Sequence, residues 1–393
     1  MRGLRKYLTP FAPDQSGAVS VLYELGGLIA ICDAGGCTGN VCGFDEPRWF
    51  EQKSALFSAG LRDMDAILGR DDRLVEKLVD AASKLDVKFV AIIGTPVPAV
   101  IGTDYKALGR MCEKKLNMPV ITIDTDGMEL YDVGEEKAWL ELFRTFAEKG
   151  KPNLDIEKKQ GKIGVLGLTP QDISDLQAPK KIREYYQEKE GKEAICYCMG
   201  ENVCRSTDGL DNHRTAGEVE KNIVVSPAAL AAAKYLEKTF GTPYEVTYPI
   251  VEELVPDMDY RRKKILIVHQ QVIGNAMRAE IRRRCQKVNG DPSVDNNAVI
   301  TVASWFMMKQ ELSEEGDISL REEDDYMELV KEEDYDIVFA DPMMKRMTED
   351  AYKMAGTGCV ADAHETERKR IFIDATHFAV SGKLREEMKK REA

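Results

Sequence analysis

Three cysteines, Cys32, Cys37 and Cys42, stand in a C-x4-C-x4-C array within CDAGGCTGNVCG, directly after the apolar run LGGLIAI. Thiolate is a soft ligand that suits iron–sulfur clusters, zinc and copper(I). The surrounding glycines let a backbone wrap closely and aim its N–H groups at sulfur. Three chemistries are open for such a loop: a metal cluster, a reversible disulfide switch, or small buried hydrophobes. The spacing is neither the paired C-x2-C of a zinc ribbon nor a common ferredoxin pattern. Three thiols are one short of a four-cysteine site, and a two-fold dimer that shares ligands across its axis makes up the number.

A second trio lies in AICYCMGENVC, at Cys196, Cys198 and Cys204. Cys196 and Cys198 at an i, i+2 interval face the same side if they lie on a strand, which makes a second metal or redox site a candidate beside structural thiols. Cys112, Cys285 and Cys359 stand alone and read as small core hydrophobes.

The elements that must position these thiols alternate between short β-rich runs and helical stretches, the pattern of parallel sheets with crossover helices. The strands expected first are 28–34, 89–95 and 120–125, with a helix over 71–86. A polar linker, 148–162, closes this section. Strands at 162–168, 194–198, 222–226 and 244–248 follow, with helices over 175–191 and 227–241, the latter stopped by Gly241. Strands at 263–270, 298–306, 335–341 and 370–378 form the last section.

The fold class is therefore α/β, with three consecutive doubly wound, Rossmann-like units built on parallel sheets. The expected domains are 1–150 with the cysteine loop, 160–255, and 260–393 ending in a C-terminal helix. Ligands in such units sit outside the carboxyl ends of the strands, where Cys32 to Cys42, Thr95, Pro96, Ser226, His269 and Gln270 fall. The acidic stretch 313–336 reads as a solvated helix with its flanks, or as a docking patch for a basic partner.

A chain of 393 residues is too long for one ordinary core. Its formal charge of −13 argues against a nucleic-acid partner and against an anionic membrane surface. No apolar run approaches the ~20 residues of a membrane-spanning helix, and no secretory signal is evident at the start. The expected location is the cytoplasm, where clustered cysteines are more often metal ligands or catalytic groups than disulfides. There is no G-x-x-x-x-G-K-[ST], no intact G-x-G-x-x-G, no H-E-x-x-H and no G-x-S-x-G. Those absences argue against nucleotide binding by this chain alone and against common hydrolase chemistries, leaving the thiols as the chemical lead.

Several stretches in this order resemble a known family: DAGGC after the first strand, IIGTPVPAVIGTD, NIVVSPAALAAAKYLEKTFGTPY and DATHFAVSG. Across roughly 15–385 the chain resembles the nitrogenase component 1-like oxidoreductases, and is most similar to their short homodimeric, nitrogenase-like members. The resemblance matches Cys37 to the family cysteine that holds an interfacial cluster. Phe11 and Pro96 stand where two further family cysteines would be. Ser226 stands where the cofactor's cysteine would be, and His377 lies one position from the place of the cofactor's histidine.

What the resemblance implies is an iron–sulfur cluster, a [4Fe–4S] shared between the subunits of a homodimer, held by Cys32, Cys37 and Cys42. A separate ATP-dependent, nitrogenase reductase-like iron–sulfur protein would feed it single electrons. An unidentified small substrate or cofactor would then be lined by Thr95, Pro96, Cys198, Ser226, Gln270 and His377, with His377 as a proton donor. The alternatives are a non-enzymatic scaffold or carrier for metallocofactor assembly and a thiol-based redox sensor.

Overall fold

The computed structural model describes residues 5–50, 52–69, 71–147, 159–199, 208–287, 297–355 and 370–377. Cys204, Cys359, most of the expected linker and the expected C-terminal helix lie outside the described residues.

The strands form three sheets. The first holds β1 (Leu28–Ile31), β2 (Ala55–Ser58), β3 (Val90–Ile93) and β4 (Val120–Ile123) in the order β2-β1-β3-β4. All its pairings are parallel. The second holds β5 (Lys159–Leu166), β6 (Glu193–Cys196), β7 (Val219–Val224) and β8 (Tyr244–Val246) in the order β6-β5-β7-β8, with β5 parallel to β6 and β7. The third holds β9 (Lys264–Val268), β10 (Val299–Ser304), β11 (Ile318–Ser319), β12 (Ile337–Ala340) and β13 (Ile371–Asp374). Its order is β11-β10-β9-β12-β13, again parallel throughout.

The helices accompanying the first sheet are α1 (Asp14–Leu22), α2 (Gly36–Asn40), α3 (Asp63–Leu68), α4 (Asp71–Ser83), α5 (Pro96–Ile101), α6 (Tyr105–Leu116) and α7 (Tyr131–Phe146). With the second go α8 (Ala178–Glu190), α9 (Asp208–Arg214) and α10 (Leu230–Phe240). With the third go α11 (Gln271–Lys287), α12 (Glu323–Glu333) and α13 (Lys345–Met354). Every strand expected from sequence is present; β2 and β11, both short edge strands, were not expected. Gly241 ends α10 with φ +64°, the left-handed stop that glycine adopts without steric cost.

The chain divides into two compact units. The first contains residues 11–224 and 228–245 and carries the first two sheets. The second contains residues 246–377, the opening residues and the short segment 225–227, and carries the third sheet.

Within the first unit, α1 and α7 cross with their backbones in contact. A Cβ on Gly17 would lie 1.9 Å from the Tyr131 carbonyl oxygen, and one on Gly134 would lie 1.8 Å from that of Asp14. Only glycine fits at either position. The contact is locked at its end by Asp14, which is buried and accepts the N–H groups of Asp126 (3.0 Å) and Gly127 (2.8 Å).

In the second unit the acidic stretch carries the largely solvated helix α12, with most of its acids exposed, and a few of them bond to the same chain. Asp317 takes a two-pronged ion pair from Arg278, with contacts of 2.6 and 3.1 Å, and Glu314 pairs with Arg282 at 2.7 Å. Glu323 accepts the N–H groups of Lys6, Tyr7 and Leu8. Asp317 and Glu314 are paired with arginines of their own chain, while the acids of α12 other than Glu323 face solvent.

Gly17→Ala and Gly134→Ala should each lower the urea unfolding free energy by about 3 kcal/mol, the upper range for overpacking. Gly36→Ala, whose Cβ meets nothing within 4 Å, should change it by less than about 1 kcal/mol in the stabilising direction. Equal effects at the three positions would contradict the helix contact.

Candidate functional site

The carboxyl end of β1 leads into the cysteine loop. Asp33 is buried, its Oδ2 accepts the N–H of Thr38 at 2.7 Å, and its Oδ1 accepts the Ser58 hydroxyl at 2.5 Å. This carboxylate fastens the start of α2 to the end of β2. Helix α2 then runs into a π-turn, Val41–Asp45. Ser16 of α1 donates to Asp45 at 2.7 Å, and the Gln171 amide donates to the Asp45 carbonyl at 3.3 Å.

Just beyond the turn, Arg48 is buried between Glu46 (2.6 Å) and Glu24 (3.1 Å). It also donates to the Ser20 carbonyl at 2.7 Å and lies 4.7 Å from the centroid of the Tyr23 ring. Burial alone penalises the guanidinium charge, but Glu46 and Glu24 outweigh that and push its pKa up. The thiol-bearing turn is thus pinned at both ends to buried charged groups.

The three cysteines of the loop do not share one environment. Cys32 is a core residue, 2% exposed, packed with Cys112 and the apolar side chains of β1, β3 and α4. Burial and then Asp33 push its thiol up to about 12. Thr95, also buried, donates to the Cys32 carbonyl at 2.7 Å, tying the end of β3 to that of β1. Cys37 and Cys42 are half-buried on α2 and the π-turn. Their thiols are raised too, by burial first, then by Asp33 for Cys37 and by Glu46 and Asp33 for Cys42.

Reactive thiols sit in electropositive sites that favour thiolate. The acidic surroundings of Cys37 and Cys42 do the opposite, which disfavours a thiol-based sensor. A divalent or cluster-bound metal, by contrast, displaces the thiol protons and is welcome beside carboxylates.

At the same carboxyl edge of the first sheet, after β1, β3 and β4, several apolar side chains are exposed. Phe44 in the π-turn, Val100 on α5 and Met128 after β4 are 65%, 86% and 82% exposed, and Val97 and Ile101 are exposed beside them. The ring of Pro96, the first residue of α5, packs against Gly127, which holds φ +75°. Among the described residues no group of three or more His, Cys, Asp or Glu is placed to hold a metal within one chain.

Of the second trio the structure describes Cys196 and Cys198, and these two meet different partners. The strand ends at Cys196, so the same-face rule stops short of Cys198. Cys196 faces the Pro179 carbonyl of α8 at 3.8 Å, whereas Cys198 donates to the Val21 carbonyl of α1 at 2.8 Å. Burial raises both thiols. Cys198 is a buried, hydrogen-bonded thiol, whereas Cys196 is half-buried.

In the second unit the sheet order reverses between β9 and β12, with β10 and β11 added on one side and β12 and β13 on the other. Open α/β sheets bind ligands at such a switch point. His269 directly follows β9 there, and its ring stacks on His377 with centroids 4.5 Å apart and planes 8° from parallel. Phe306 meets His377 edge-on at 4.8 Å. Asp341, after β12, accepts the His377 N–H at 3.0 Å. His269 Nδ1 accepts the Gln270 N–H at 2.8 Å, which assigns its proton to Nε2, facing the Thr376 carbonyl at 3.4 Å.

Gln270 is consumed structurally. Its amide donates to the Val225 carbonyl at 2.7 Å and accepts the Val272 N–H at 2.7 Å at the start of α11. Ser226, beside Val225, is fully buried. Burial lowers His269 to about 4, and burial together with His269 lowers His377 well below the usual imidazole range. At neutral pH the pair is two neutral imidazoles, so a proton from His377 would come from a neutral N–H rather than from imidazolium. Sequence spacing showed neither the pairing of His269 with His377 nor the role of Asp341, because strand order brings these three together from positions far apart in the chain.

Under native conditions a maleimide reagent followed by peptide mass spectrometry should label Cys37 and Cys42 first, leaving Cys32, Cys112 and Cys198 protected. Labelling of Cys32 at a comparable rate would contradict its placement. His269 should titrate near 4, measured by its imidazole proton resonances. Because its folded pKa lies below the unfolded value of about 6.5, its stabilising contribution is complete above that value and lost as pH falls through the folded one.

The family model described as "Nitrogenase component 1 type Oxidoreductase" matches residues 16–251, more than half of the chain. Two curated relatives are named nitrogenase iron-molybdenum cofactor biosynthesis protein NifE. That of Bradyrhizobium diazoefficiens is 22% identical over 194 residues, 48% of this chain and 32% of the relative. That of Clostridium pasteurianum is 26% identical over 200 residues, 50% of this chain and 40% of the relative. The match thus spans well under half of either relative's length. Among solved structures, "Nitrogenase Cp1 at pH 6.5" superposes with a TM-score of 0.63 at 12% identity, covering 99% of this chain and 93% of that one. "Nitrogenase Cp1 at pH 5" gives 0.60 at 14% identity, covering 88% and 82%. These likenesses show the fold, three parallel α/β sheets, and with the family match they establish that the chain belongs to the nitrogenase component 1 type oxidoreductases.

Proposed function

We propose that this chain is the catalytic-component subunit of a nitrogenase-like reductase, working as a homodimer joined over the Cys37–Cys42 turn. The observation that carries the reading is the pairing of two half-buried thiols with an exposed apolar rim, Phe44, Val97, Val100, Ile101 and Met128, at the carboxyl edge of the first sheet. Apolar rims of this kind mark interaction surfaces. A second copy seated on it supplies the two thiols that one chain lacks. Held there, an iron–sulfur cluster supplies one-electron storage.

Asp33 and the Arg48 cluster fix the backbone of the turn, so the thiols enter the shared site already positioned. The acidic groups near them favour a more positive bound group and disfavour extra electrons, lowering the potential at which an electron is held. A separate ATP-dependent reductase partner delivers single electrons, and the switch point of the third sheet is the place for the substrate. There His377, stacked on His269, is the proton donor, and Asp341 orients the His377 backbone. Cys32 acts in this reading as packing beneath the turn.

A second reading is favoured by one observation: both curated relatives are named for cofactor biosynthesis. Ser226 and the fully engaged Gln270 offer no fixed thiolate to a resident cofactor, which suits a scaffold that holds a metallocofactor briefly. Reductant-dependent turnover with the ATPase partner supports the reductase, whereas transfer of a bound metal species to an acceptor without turnover supports the scaffold.

Anaerobic reconstitution with iron and sulfide should give about four iron atoms per two chains. Cys37→Ser and Cys42→Ser should each lose most of that iron, and Cys32→Ser should keep it. Val100→Asp should yield monomers that hold little iron. A monomeric wild-type protein with full iron content would sink the shared-site reading.

A further inference from the structure

Buried parallel sheets are near-continuous apolar runs, and the second sheet breaks that pattern at its centre. Asn222 lies mid-strand on β7, opposite Gly164 of β5, and is wholly buried. A Cβ on Gly164 would lie 2.1 Å from Asn222 Oδ1 and 2.8 Å from the Tyr197 hydroxyl. Only glycine fits beneath these two polar side chains. Their oxygens are therefore no more than about 5 Å apart, a gap that two hydrogen bonds through one water span. Tyr197, the residue after β6, is 2% exposed.

Helix α9 brings a third polar group. His213 is fully buried, and its ring centroid is 5.2 Å from that of Tyr197. Its Nδ1 meets the Gly209 carbonyl at 2.8 Å, and a carbonyl only accepts, so the proton is on Nδ1. Nε2 is left as a lone pair. Burial lowers the imidazole to about 4, which keeps it neutral at pH 7. Phe143 of α7 walls the group, 5.3 Å from both rings, and stacks on the buried Trp139.

Among the described residues, Asn222 Nδ2, Asn222 Oδ1, the Tyr197 hydroxyl and His213 Nε2 have no hydrogen-bonding partner. Each buried donor or acceptor left unpaired weakens folding by roughly tenfold. The set is chemically mixed, because the amide N–H groups and the hydroxyl donate while Oδ1 and Nε2 accept. All three side chains are uncharged, so the cluster selects no ion. Its occupant has to be small and neutral, and has to donate and accept at once. Water meets each requirement, and buried water makes about three hydrogen bonds to groups of this kind.

We propose that Asn222, Tyr197 and His213 form an internal water-binding site that joins β7, the end of β6 and α9. Bound water donates to Asn222 Oδ1 and His213 Nε2 and accepts from the Asn222 amide and the Tyr197 hydroxyl. The residue after Tyr197 is Cys198, which donates to the Val21 carbonyl of α1 at 2.8 Å. The hydrated cluster and the helix that frames the cysteine turn are thus held at consecutive residues.

High-resolution crystals of the wild-type full chain test the site directly. The expected result is a water peak within about 3.2 Å of the Asn222 amide and of either the Tyr197 hydroxyl or His213 Nε2. Asn222 bonded directly to Tyr197 or His213, or a cluster without water, would overturn the proposal. Asn222→Leu, close in size, gives a separate reading in solution. With water bound, the leucine displaces it and strands the other two groups, so the folding constant from urea unfolding should fall by about tenfold or more. A folding constant equal to or above that of wild type would contradict the site, since removal of an unpaired amide is what stabilises. Should the variant not fold, the wild-type density decides alone.

Discussion

The backbone contact between α1 and α7 is the constraint on which the first unit depends. Gly17 and Gly134 let the two helices approach until each meets a carbonyl of the other. That approach places the other residues of α1 where the site needs them. Asp14 closes the loop after β4, Ser16 takes Asp45, and Ser20 and Val21 receive Arg48 and Cys198, with Glu24 just past the helix also holding Arg48. α1 is buried along its whole length, so its polar groups are all committed inward. A short helix of mostly small residues thereby serves as the frame for the cysteine turn.

The two candidate sites differ in electrostatic character. The turn in the first unit is partly buried and flanked by Asp33 and Glu46, which keep its thiols protonated until a metal replaces the proton. The switch point in the second unit is neutral, with stacked imidazoles that burial keeps uncharged. An acidic thiol site suits holding a positively charged metal group, and a neutral, close-packed site suits a substrate whose charge changes little on binding. The reading of the chain as an electron-transfer component uses both.

Much of the fold was legible in the sequence because buried parallel strands are short apolar runs with turn residues at their ends. LIAI, VAII, VITI and KILIV announce themselves this way. ALFS, at an edge and part-exposed, did not, and neither did the two-residue β11. The site was legible only in part. The C-x4-C-x4-C array singled out the loop after β1, but a spacing cannot say that β1 carries Cys32 into the core while α2 lifts Cys37 outward. The i, i+2 interval of Cys196 and Cys198 misled because the strand stops between them. His269, Asp341 and His377 meet only through the order β9-β12-β13, which no local pattern encodes.

The central claim is that two copies of the Cys37–Cys42 turn hold one metal group between them. An iron anomalous difference map from crystals of anaerobically reconstituted protein tests it most directly. The account predicts iron density on a two-fold axis, within bonding distance of Cys37 and Cys42 Sγ from both copies, with Cys32 remote from it. Iron bound wholly within one chain, or a dimer formed through another face with this turn open to solvent, would contradict it.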